Sequence, residues 1–530
     1  MDAQRILGEY QRLLEALEHP GTVQRDLLTD ILRENGNTEY GKEYGLAEVR
    51  TIDEYRRAVP IRTHEEMMPW IERAMAGERN VLTADDPVVY FSSSGSTGRE
   101  KHIPITRTHM QRTFLPFYHA AFATLIRTLP SAVSGGVLNL WQDPSAPIAR
   151  TEHGQPHIGP SQVDYTKFGE SLSVGPGNDA PWARIPEELA GANPYDRAYF
   201  KLRLAAEQNI RLLIGINPAM VSGLVYQLGQ QWERLVDEIR EGTLGGRPHS
   251  EPNPQRADEI AGYAKTFGTV TPYHLWPNLA GIVVWNSALA ALYLPRVRET
   301  FGPGVQLFTA PIASCEGPAG VPVDRHPSGA PLYVPGCFYE FIPAEQQITA
   351  GSETLLAHEL EVGKDYHLLL SHFGGLYRCA VTDIVRVVGY VGRTPRIEYA
   401  GRNITRSAAG VQLGEAAAVR ALTAACGDTG TEIRNATYHL SDGRYQIAVA
   451  GRLTQGFAEA LDLRLAEQSE DYRTARGQDA LQPIEVIGVH PDAFFHEWER
   501  TIRAGQRPPR VKDRVFLPAE EAWQRITADV

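Results

Sequence analysis

The chain has 530 residues, and because domains usually span roughly 100–200 residues, it has room for two to four domains or for one large domain with a small satellite. Hydrophobic residues make up 42% and charged residues 22% of the sequence, a balance that is typical of globular proteins and excludes a mainly disordered chain. The 52 basic and 64 acidic residues give a net charge of −12, which disfavours binding along a nucleic-acid backbone.

The four cysteines are too few for a disulfide scaffold, and no C-x-x-C pair indicates zinc or dithiol chemistry. The first residues lack the apolar core of a signal peptide, and no run of about 18 apolar residues predicts a membrane span. We therefore expect a cytoplasmic protein, a monomer or weak dimer, without nucleic-acid or membrane partners.

Apolar residues at helical spacing near the start predict an amphipathic helix that stops before His19. A second helical pattern at about 63–76, with an interruption expected at Pro69, precedes an apolar run at 87–91 that predicts a buried strand. The stretch 134–193, rich in Gly, Pro and Ser, predicts loops and short strands inside a domain.

Helical patterns at 198–208 and 218–242 alternate with apolar runs at 212–214 and 281–285. This alternation of helices and strands indicates a mixed α/β architecture. From 332 to 388 strand-like runs dominate, which predicts either a barrel or an antiparallel sheet.

After residue 400 the pattern changes. It predicts a helix at 414–425, a hairpin turn at 441–443, a helix at 457–468 and a strand at 484–489. These elements can form a separate small α/β domain over residues 401–530, which leaves residues 1–400 as the large domain.

The strongest local signal is the segment FSSSGSTGREK at 91–101, a hydroxyl- and glycine-rich loop directly after a predicted strand. Glycines let backbone N–H groups approach an oxyanion, hydroxyls add donors, and Lys101 supplies a positive charge, so the segment can hold phosphate. Its spacing is not that of a P-loop, because only two residues separate Gly98 from Lys101 and His102 follows. A flexible surface turn is the alternative.

Two further segments carry single carboxylates. The first, FTAPIASCEG at 308–317, is a small-residue turn with Glu316, and the second, GLYRCAVTD at 375–383, places Asp383 at the start of a predicted strand. Each carboxylate has an ordinary alternative as a helix cap or a solvated surface charge.

Together these segments resemble a known family. The loop resembles the phosphate motif S-G-[ST]-T-G-x-x-K of the adenylate-forming, firefly-luciferase-like superfamily, and with the other two segments the chain resembles the Gretchen Hagen family of acyl acid amido synthetases, as a bacterial-type member. The similarity extends to segments at 37–41, 59–61, 222–244, 275–279 and 339–343.

The resemblance implies a fold and a reaction. The fold is α/β, with a large N-terminal domain of β-barrel and α/β sheet layers and a small C-terminal α/β domain that moves between two reaction steps. The reaction uses ATP and Mg²⁺ to convert an acyl acid, aromatic or small, into an acyl-adenylate, and an amine or amino acid then takes the acyl group as an amide.

The resemblance also assigns residues to ATP. Lys101 and Glu316 would be catalytic, with Glu316 as the magnesium ligand. Asp383 would accept hydrogen bonds from the ribose hydroxyls, with Tyr377 and Arg378 supporting its strand. Arg402, at the hinge between the domains, would reach ribose or phosphate. The phosphate-binding residues would be Ser93, Ser94, Gly95, Ser96, Thr97, Gly98 and Lys101, and the adenine-side residues would be Pro311, Ile312, Ala313, Ser314 and Cys315.

The sequence departs from the family pattern at several positions. Ile312 replaces an aromatic residue, which loses about 0.5–1.5 kcal/mol of aromatic interaction. Cys315 replaces a serine, Thr382 replaces a glycine, and His372 stands at a position that is commonly Asn. Because glycine tolerates positive φ, Thr382 would be strained there unless the turn differs.

Arg507 and Lys512 are candidates for the catalytic cation that closes the site from the C-terminal domain, with a solvated basic tail as the alternative. The candidate acid-binding residues, each of which can instead be ordinary core, are Phe117, Phe122, Met220, Val221, Phe338 and His372.

Two other functions stay open. An adenylating ligase that loads coenzyme A or a carrier-protein thiol shares the first half-reaction and the phosphate loop. A non-catalytic nucleotide-binding regulator would explain the departures from the family pattern. No G-x-S-x-G or Cys/His signature supports nucleophilic catalysis.

Overall fold

The structure is a computed structural model that describes residues 3–94, 100–130, 135–143, 148–158, 184–408, 410–441 and 443–528. The chain divides into two compact units. The first unit comprises Met1–Val137, Gln142–Ala180 and Phe308–Ala400, and the second comprises Leu138–Trp141, Pro181–Leu307 and Gly401–Val530. Among the helices within the described ranges, none combines the length and apolar character needed to cross a lipid bilayer.

The helices of the first unit are α1 (Ala3–Glu18), α2 (Pro20–Asn35), α3 (Glu39–Glu43), α4 (Ile52–Ala58), α5 (His64–Met75), α6 (Arg107–His109) and α7 (Leu115–Thr128), with a π-helical turn at Met110–Phe114 and a 3₁₀ turn at Ala357–Glu359. The helices of the second unit are α8 (Pro194–Ala205), α9 (Pro218–Glu241), α10 (Pro254–Phe267), α11 (Pro272–Leu275), α12 (Leu294–Phe301), α13 (Glu415–Thr429), α14 (Phe457–Gln468), α15 (Glu470–Gly477), α16 (Ala493–Arg503) and α17 (Glu520–Ala528), with 3₁₀ turns at Glu187–Leu189, Ala288–Tyr293 and Pro508–Arg510.

The strands, numbered along the whole chain, are β1 (Arg62–Thr63), β2 (Pro87–Ser94), β3 (Glu100–Thr106), β4 (Gly136–Asn139), β5 (Ala149–Arg150), β6 (Pro156–Ile158), β7 (Ile210–Ile216), β8 (Thr243–Leu244), β9 (Arg247–Pro248), β10 (Gly281–Val284), β11 (Gln306–Thr309), β12 (Ile312–Ala313), β13 (Pro318–Gly320), β14 (Ala330–Pro331), β15 (Phe338–Pro343), β16 (Asp365–Ser371), β17 (Cys379–Val391), β18 (Thr394–Arg402), β19 (Thr405–Ala408), β20 (Val411–Gly414), β21 (Glu432–Ser441), β22 (Arg444–Arg452) and β23 (Glu485–Val489).

Two sheets organise the first unit. One has the strand order β14-β18-β17-β16-β15, with β1 parallel to β17, and its β15–β16 and β16–β17 pairs are antiparallel. The sequence predicted either a barrel or an antiparallel sheet for this region, and the observed strand order is that of a sheet. The other sheet has the order β3-β2-β6-β5, and β2 and β3 form an antiparallel pair.

Helices cover the apolar faces of these strands. α1 ends at Glu18, as predicted, and buries Ile6, Tyr10, Leu13 and Leu17 in the same core as α7 and strands of both sheets. α5 begins at a capping box between Thr63 and Glu66 and continues through Pro69 to Met75. The predicted interruption at Pro69 is therefore wrong. Packing of Met67 and Ile71 holds the helix together despite the missing proline N–H.

The second unit contains β7 and β10, which are the central strands of a sheet of order β11-β10-β7-β4 and are parallel as α/β patterning requires. The predicted helix at 218–242 is confirmed as α9, which ends at Gly242 with φ +71°. In the C-terminal part, β21 and β22 form the predicted hairpin, and β23 adds in parallel to β22. The predicted helix at 457–468 is confirmed as α14.

The boundary between the two units falls between Ala400 and Gly401, but the second unit also includes Pro181–Leu307. The division of the chain into domains 1–400 and 401–530 therefore stays a prediction. In the predicted loop region 134–193 the structure describes β4, β5, β6 and the 3₁₀ turn, while residues 134, 144–147 and 159–183 lie outside the described part.

A buried ion network fixes the edge of the large sheet in the first unit. The Arg378 guanidinium donates to both carboxylate oxygens of Glu340, at 2.9 and 3.0 Å, and to the main-chain carbonyls of Arg56 and Val59. The Glu340 carboxylate also accepts from Thr354. Arg378 has φ +44°, a conformation that is strained for a residue with a side chain, and this network holds it there.

We predict that Glu340→Ala lowers the free energy of unfolding by about 3–5 kcal/mol, because it leaves the Arg378 charge buried without its partner. Chemical denaturation measures the effect. The matched control is Glu432→Ala, whose pair with Arg452 is exposed (73% and 71%) and is expected to contribute less than about 1 kcal/mol. Equal losses in the two variants would contradict the account.

Candidate active site

A buried ion pair lies at the base of the Ser/Gly loop. The Lys101 Nζ donates to Glu316 Oε1 at 2.9 Å, and each side chain is only 7% exposed. Lys101 is the second residue of β3 and pairs in register with Ser93 of β2. Glu316 lies in the turn between β12 and β13. The pair therefore links two predicted motifs that are far apart in sequence.

Both members of the pair are held in their charged forms. Burial works against the Lys101 charge, but the Glu316 carboxylate overcomes it and raises the Lys101 pKa. Burial likewise opposes the Glu316 charge, but Lys101 and a hydrogen bond from the Ser314 side chain lower the Glu316 pKa. The site thus keeps one fixed positive and one fixed negative charge in a place that excludes most water.

The turn that carries Glu316 is closely packed. The Ser314 N–H donates to the Gly317 carbonyl at 3.0 Å, which closes the turn. A Cβ at Gly317 would lie 3.3 Å from the Cys337 sulfur and 3.4 Å from Leu370, so a larger residue there would push these neighbours by a few tenths of an ångström.

His372 joins this turn to the one after β16. Its Nε2 lies 2.8 Å from the Glu316 main-chain oxygen, and its Nδ1 accepts the Gly374 N–H at 2.9 Å. The imidazole is fully buried, and burial lowers its pKa to about 4, so the ring is neutral at pH 7. Since both ring nitrogens have protein partners, this geometry does not offer His372 for the predicted contact with the acid.

The ring of His109 stacks on His372, with centroids 4.1 Å apart and planes 28° apart. His109 is fully buried, and within the described residues neither of its ring nitrogens has a hydrogen-bond partner. Burial is the main cause that lowers the His109 pKa well below its usual value, and the neighbouring His372 lowers it further.

The structure places the other predicted ATP residues as follows. Gly95, Ser96, Thr97 and Gly98 lie outside the described residues, while Ser93 and Ser94 are the last residues of β2. The adenine-side candidates Pro311, Ile312, Ala313, Ser314 and Cys315 are all half-buried and include β12.

Asp383 lies within β17 and is half-buried. Thr382 precedes it in the same strand, and its φ is not positive. The turn therefore differs from the family pattern, and Thr382 is unstrained. The positive φ in this segment belongs instead to Arg378. Tyr377 is fully buried. Its hydroxyl donates to the Leu82 carbonyl, which favours a packing role over contact with ATP.

Among the predicted acid-binding residues, the structure favours the packing alternative for most. Phe117 and Phe338 in the first unit are fully buried, as is Val221 in the second, and Met220 is 4% exposed. Phe122 on α7 is half-buried and stays the most open of these candidates.

The remaining candidates belong to the second unit. Arg402 ends β18, and its N–H donates to Glu415 at 2.9 Å. Arg507 precedes the 3₁₀ turn Pro508–Arg510, and the Lys512 Nζ lies 4.7 Å from the ring centre of Trp285. Their predicted role as closing cations is untested by this geometry.

Sequence reasoning missed His64. Its Nε2 lies 2.9 Å from the His102 main-chain oxygen, next to Lys101. Burial is the largest cause that lowers the His64 pKa, and the Lys101 charge also lowers it. No spacing pattern connects residue 64 with residue 102, because only the packing of α5 against β3 brings them together.

The donors fit Mg²⁺ bound jointly with a nucleotide. Within the part of the chain that the structure describes, no group of three His, Cys, Asp or Glu side chains could hold a metal by itself. Mg²⁺ typically takes one or two protein carboxylates and completes its shell with phosphate oxygens and water. A single buried and ionised Glu316 at the base of an anion loop meets that requirement.

Family models match most of the chain. The GH3 family N-terminal domain matches residues 9–307, the GH3 family central domain matches 331–402, and the GH3 family C-terminal domain matches 416–516.

Curated relatives include plant enzymes. An indole-3-acetic acid-amido synthetase, GH3.3 of Arabidopsis thaliana, is 24% identical over 527 residues, covering 91% of this chain and 87% of that protein. A jasmonoyl-L-amino acid synthetase, JAR6 of Nicotiana attenuata, is 25% identical over 429 residues, covering 76% and 72%.

Solved structures share the fold. The AtGH3.15 acyl acid amido synthetase in complex with 2,4-DB superposes with a TM-score of 0.84 at 20% identity, covering 100% of this chain and 97% of that one. A second GH3.15 structure gives a TM-score of 0.81 at 21% identity and covers 98% and 96%. The predicted α/β fold class is confirmed.

We predict that His109 makes stability fall with acid. Its pKa is lowered in the folded state, so below about pH 6.5 the unfolded chain binds a proton that the folded chain does not, and stability is lost by at most about 1.4 kcal/mol per pH unit. His109→Phe keeps the ring stack and should make the free energy of unfolding less dependent on pH between 6.5 and 5. Denaturant titrations across that range measure it, and parallel curves for both proteins would contradict the prediction.

Proposed function

Since the chain belongs to the GH3 family of acyl acid amido synthetases, we propose that it joins an aromatic or small carboxylic acid to an amino acid, with the Lys101–Glu316 pair at the reacting phosphates. As a member of that family it is an adenylate-forming amide synthetase that uses ATP. The proposal consists of the identity of the acid, the part played by Mg²⁺ and the roles of individual residues.

One observation supports this proposal more than any other. A lysine and a glutamate 215 residues apart form a hydrogen-bonded pair, both nearly inaccessible, at the end of a loop with the composition of a phosphate site. Burying two charges is costly and seldom improves stability over apolar packing, so such a pair next to an anion loop supports a catalytic role.

In the first step, a carboxylate oxygen of the acid attacks the α-phosphorus of ATP. The bond from that phosphorus to the oxygen bridging the β-phosphorus breaks, and pyrophosphate leaves with the electron pair. Negative charge grows on the leaving oxygens, and Lys101 donates to them from a fixed position on β3. Mg²⁺ would supply further charge neutralisation there, and Glu316 is the residue that would hold it.

The ion pair also allows an exchange of partners. Lys101 and Glu316 neutralise each other at 2.9 Å. On binding of nucleotide and Mg²⁺, each group would exchange its partner, so that Lys101 would donate to phosphate and Glu316 would hold the metal. The protein thus avoids an unpaired buried charge in either state.

In the second step, the uncharged amine of the amino acid attacks the acyl carbon. The bond between that carbon and the adenylate oxygen breaks, AMP leaves, and the nitrogen releases a proton as the amide forms. The predicted movement of the C-terminal domain would open the site to the amine between the two steps.

An aromatic acid is supported by α7. Two aromatic side chains of this helix, Tyr118 and Phe122, are half-buried, whereas Phe114 and Phe117 lie in the core. Half-buried aromatic rings offer flat apolar surface to a ring-bearing ligand. One of the relatives named above is an indole-3-acetic acid-amido synthetase, whose name includes an aromatic acid, and the other is a jasmonoyl-L-amino acid synthetase. A cytoplasmic location and a monomeric or weakly dimeric state stay predictions.

The first test is ATP–pyrophosphate exchange over a panel of aryl, short-chain and hydroxy acids. We expect exchange that depends on the acid and is fastest with an aromatic acid. Amino acids, other amines and coenzyme A are then added to the responsive acid, and we expect only amino acids to give product and AMP. Thioester formation would identify a thiol ligase, and nucleotide binding without exchange would identify a regulator.

We predict that Glu316→Gln reduces acid-dependent exchange at least about a hundredfold, because the amide neither holds Mg²⁺ as tightly nor pairs with Lys101. The matched control is Asp324→Asn, which removes a carboxylate that pairs with Arg396 at 2.6 Å on the same unit. The control should retain exchange within about threefold, as surface substitutions do. Undiminished exchange by Glu316→Gln would remove Glu316 from the site.

A further inference from the structure

We infer that His372 is a positioning residue for Glu316, which it holds through the main-chain carbonyl while the carboxylate changes partner. The inference rests on the proposed function, in which Glu316 binds Mg²⁺. It concerns a residue that does not itself contact substrate, metal or the reacting atoms.

The hydrogen bonds fix the tautomer of His372. An N–H can only donate, so the bond from the Gly374 N–H makes Nδ1 an acceptor and leaves it without a proton. In the neutral ring the proton is then on Nε2, which donates to the Glu316 carbonyl oxygen at 2.8 Å. The two bonds have separate roles, since one secures the histidine to its own turn and the other secures Glu316.

The ring has little freedom to move. The His372 N–H donates to the Leu376 carbonyl at 3.0 Å, which closes the turn behind it. A Cβ at Gly374 would lie 2.8 Å from the imidazole Cε1, so the glycine packs directly against the ring edge. His109 covers one face at 4.1 Å, and Phe114 meets His109 edge-on at 5.4 Å. The donor is therefore rigidly placed.

This donor matters most after Lys101 has left the pair. The Lys101 Nζ fixes the Glu316 carboxylate directly. Once Lys101 turns to phosphate, that restraint is gone, and the bond from His372 still fixes the Glu316 peptide and hence the direction in which the side chain leaves the turn. Outer partners that orient a metal ligand commonly affect metal affinity by 10–100-fold.

Two substitutions of His372 test its two side-chain hydrogen bonds separately. The side-chain amide of Gln reaches about as far as the imidazole Nε2, so His372→Gln keeps a donor for the Glu316 carbonyl and loses the acceptor for Gly374. The amide of Asn lies about where Nδ1 does, so His372→Asn keeps the acceptor and loses the donor. A purely structural role would give both variants a similar defect.

The readout is nucleotide binding rather than turnover. The dissociation constant of α,β-methylene-ATP, whose bridging carbon blocks adenylation, is measured by calorimetry at saturating Mg²⁺ and in EDTA, and the ratio of the two constants reports the coupling between metal and nucleotide. For His372→Asn we expect this ratio to fall about tenfold, and for His372→Gln we expect it to stay within about twofold of the unmodified protein.

The matched control is His367→Asn. His367 is also buried, at 2%, and lies on β16, and its ring nitrogen bonds to main chain near Ala344 and Gln346 rather than to Glu316. The substitution His367→Asn removes a comparable buried imidazole and should leave the ratio unchanged.

A further variant, His109→Ala, loosens the His372 ring without altering either of its hydrogen bonds and should lower the ratio about threefold. Thermal unfolding confirms that each variant is folded.

The outcomes separate this inference from the proposed function. Mg²⁺ coupling that is intact in the unmodified protein and unchanged in His372→Asn would overturn the positioning role alone. Equal falls in the Asn, Gln and His367 variants would also overturn it, because they would reveal general damage. An unmodified protein with no Mg²⁺ coupling would overturn the proposed metal role of Glu316 and this inference with it.

Discussion

The Lys101–Glu316 pair is the interaction on which the candidate site depends. Its members are each 7% exposed and lie on segments 215 residues apart, so the pair forms only when the β2–β3 hairpin and the β12–β13 turn have folded against each other. Desolvation opposes both charges, and mutual attraction with local hydrogen bonds outweighs it. The pair is thus a preformed site whose charges can be redirected to a phosphate and a metal, without the cost of creating a charge in a dry place.

The surroundings of the pair are built to limit movement. Main-chain packing is tight at Gly317 and leaves no room for a side chain at Gly374, and the His109 ring stacks on His372. A second buried network, in which Glu340 binds Arg378, holds the strained residue that leads into β17. Rigidity of this kind serves catalysis because donors already in position need no reorganisation when charge develops.

Local patterns predicted local structure well. Apolar periodicity with a terminal glycine predicted α9, and α14 spans the predicted residues because its signals lie within the helix itself. Pro69 misled the prediction, since tertiary packing of α5 outweighs one missing hydrogen bond. The sequence motifs selected Lys101 and Glu316, but the bond from His372 to the Glu316 carbonyl and the positive φ of Arg378 depend on contacts between distant segments, and no spacing in the sequence encodes them.

The most direct test of the exchange of partners is a crystal structure with Mg²⁺ and α,β-methylene-ATP. We expect Mg²⁺ at about 2.1 Å from a Glu316 carboxylate oxygen and the Lys101 Nζ more than about 4 Å from Glu316, within hydrogen-bond distance of a phosphate oxygen. A nucleotide complex in which Lys101 still binds Glu316, with Mg²⁺ held elsewhere, would contradict it.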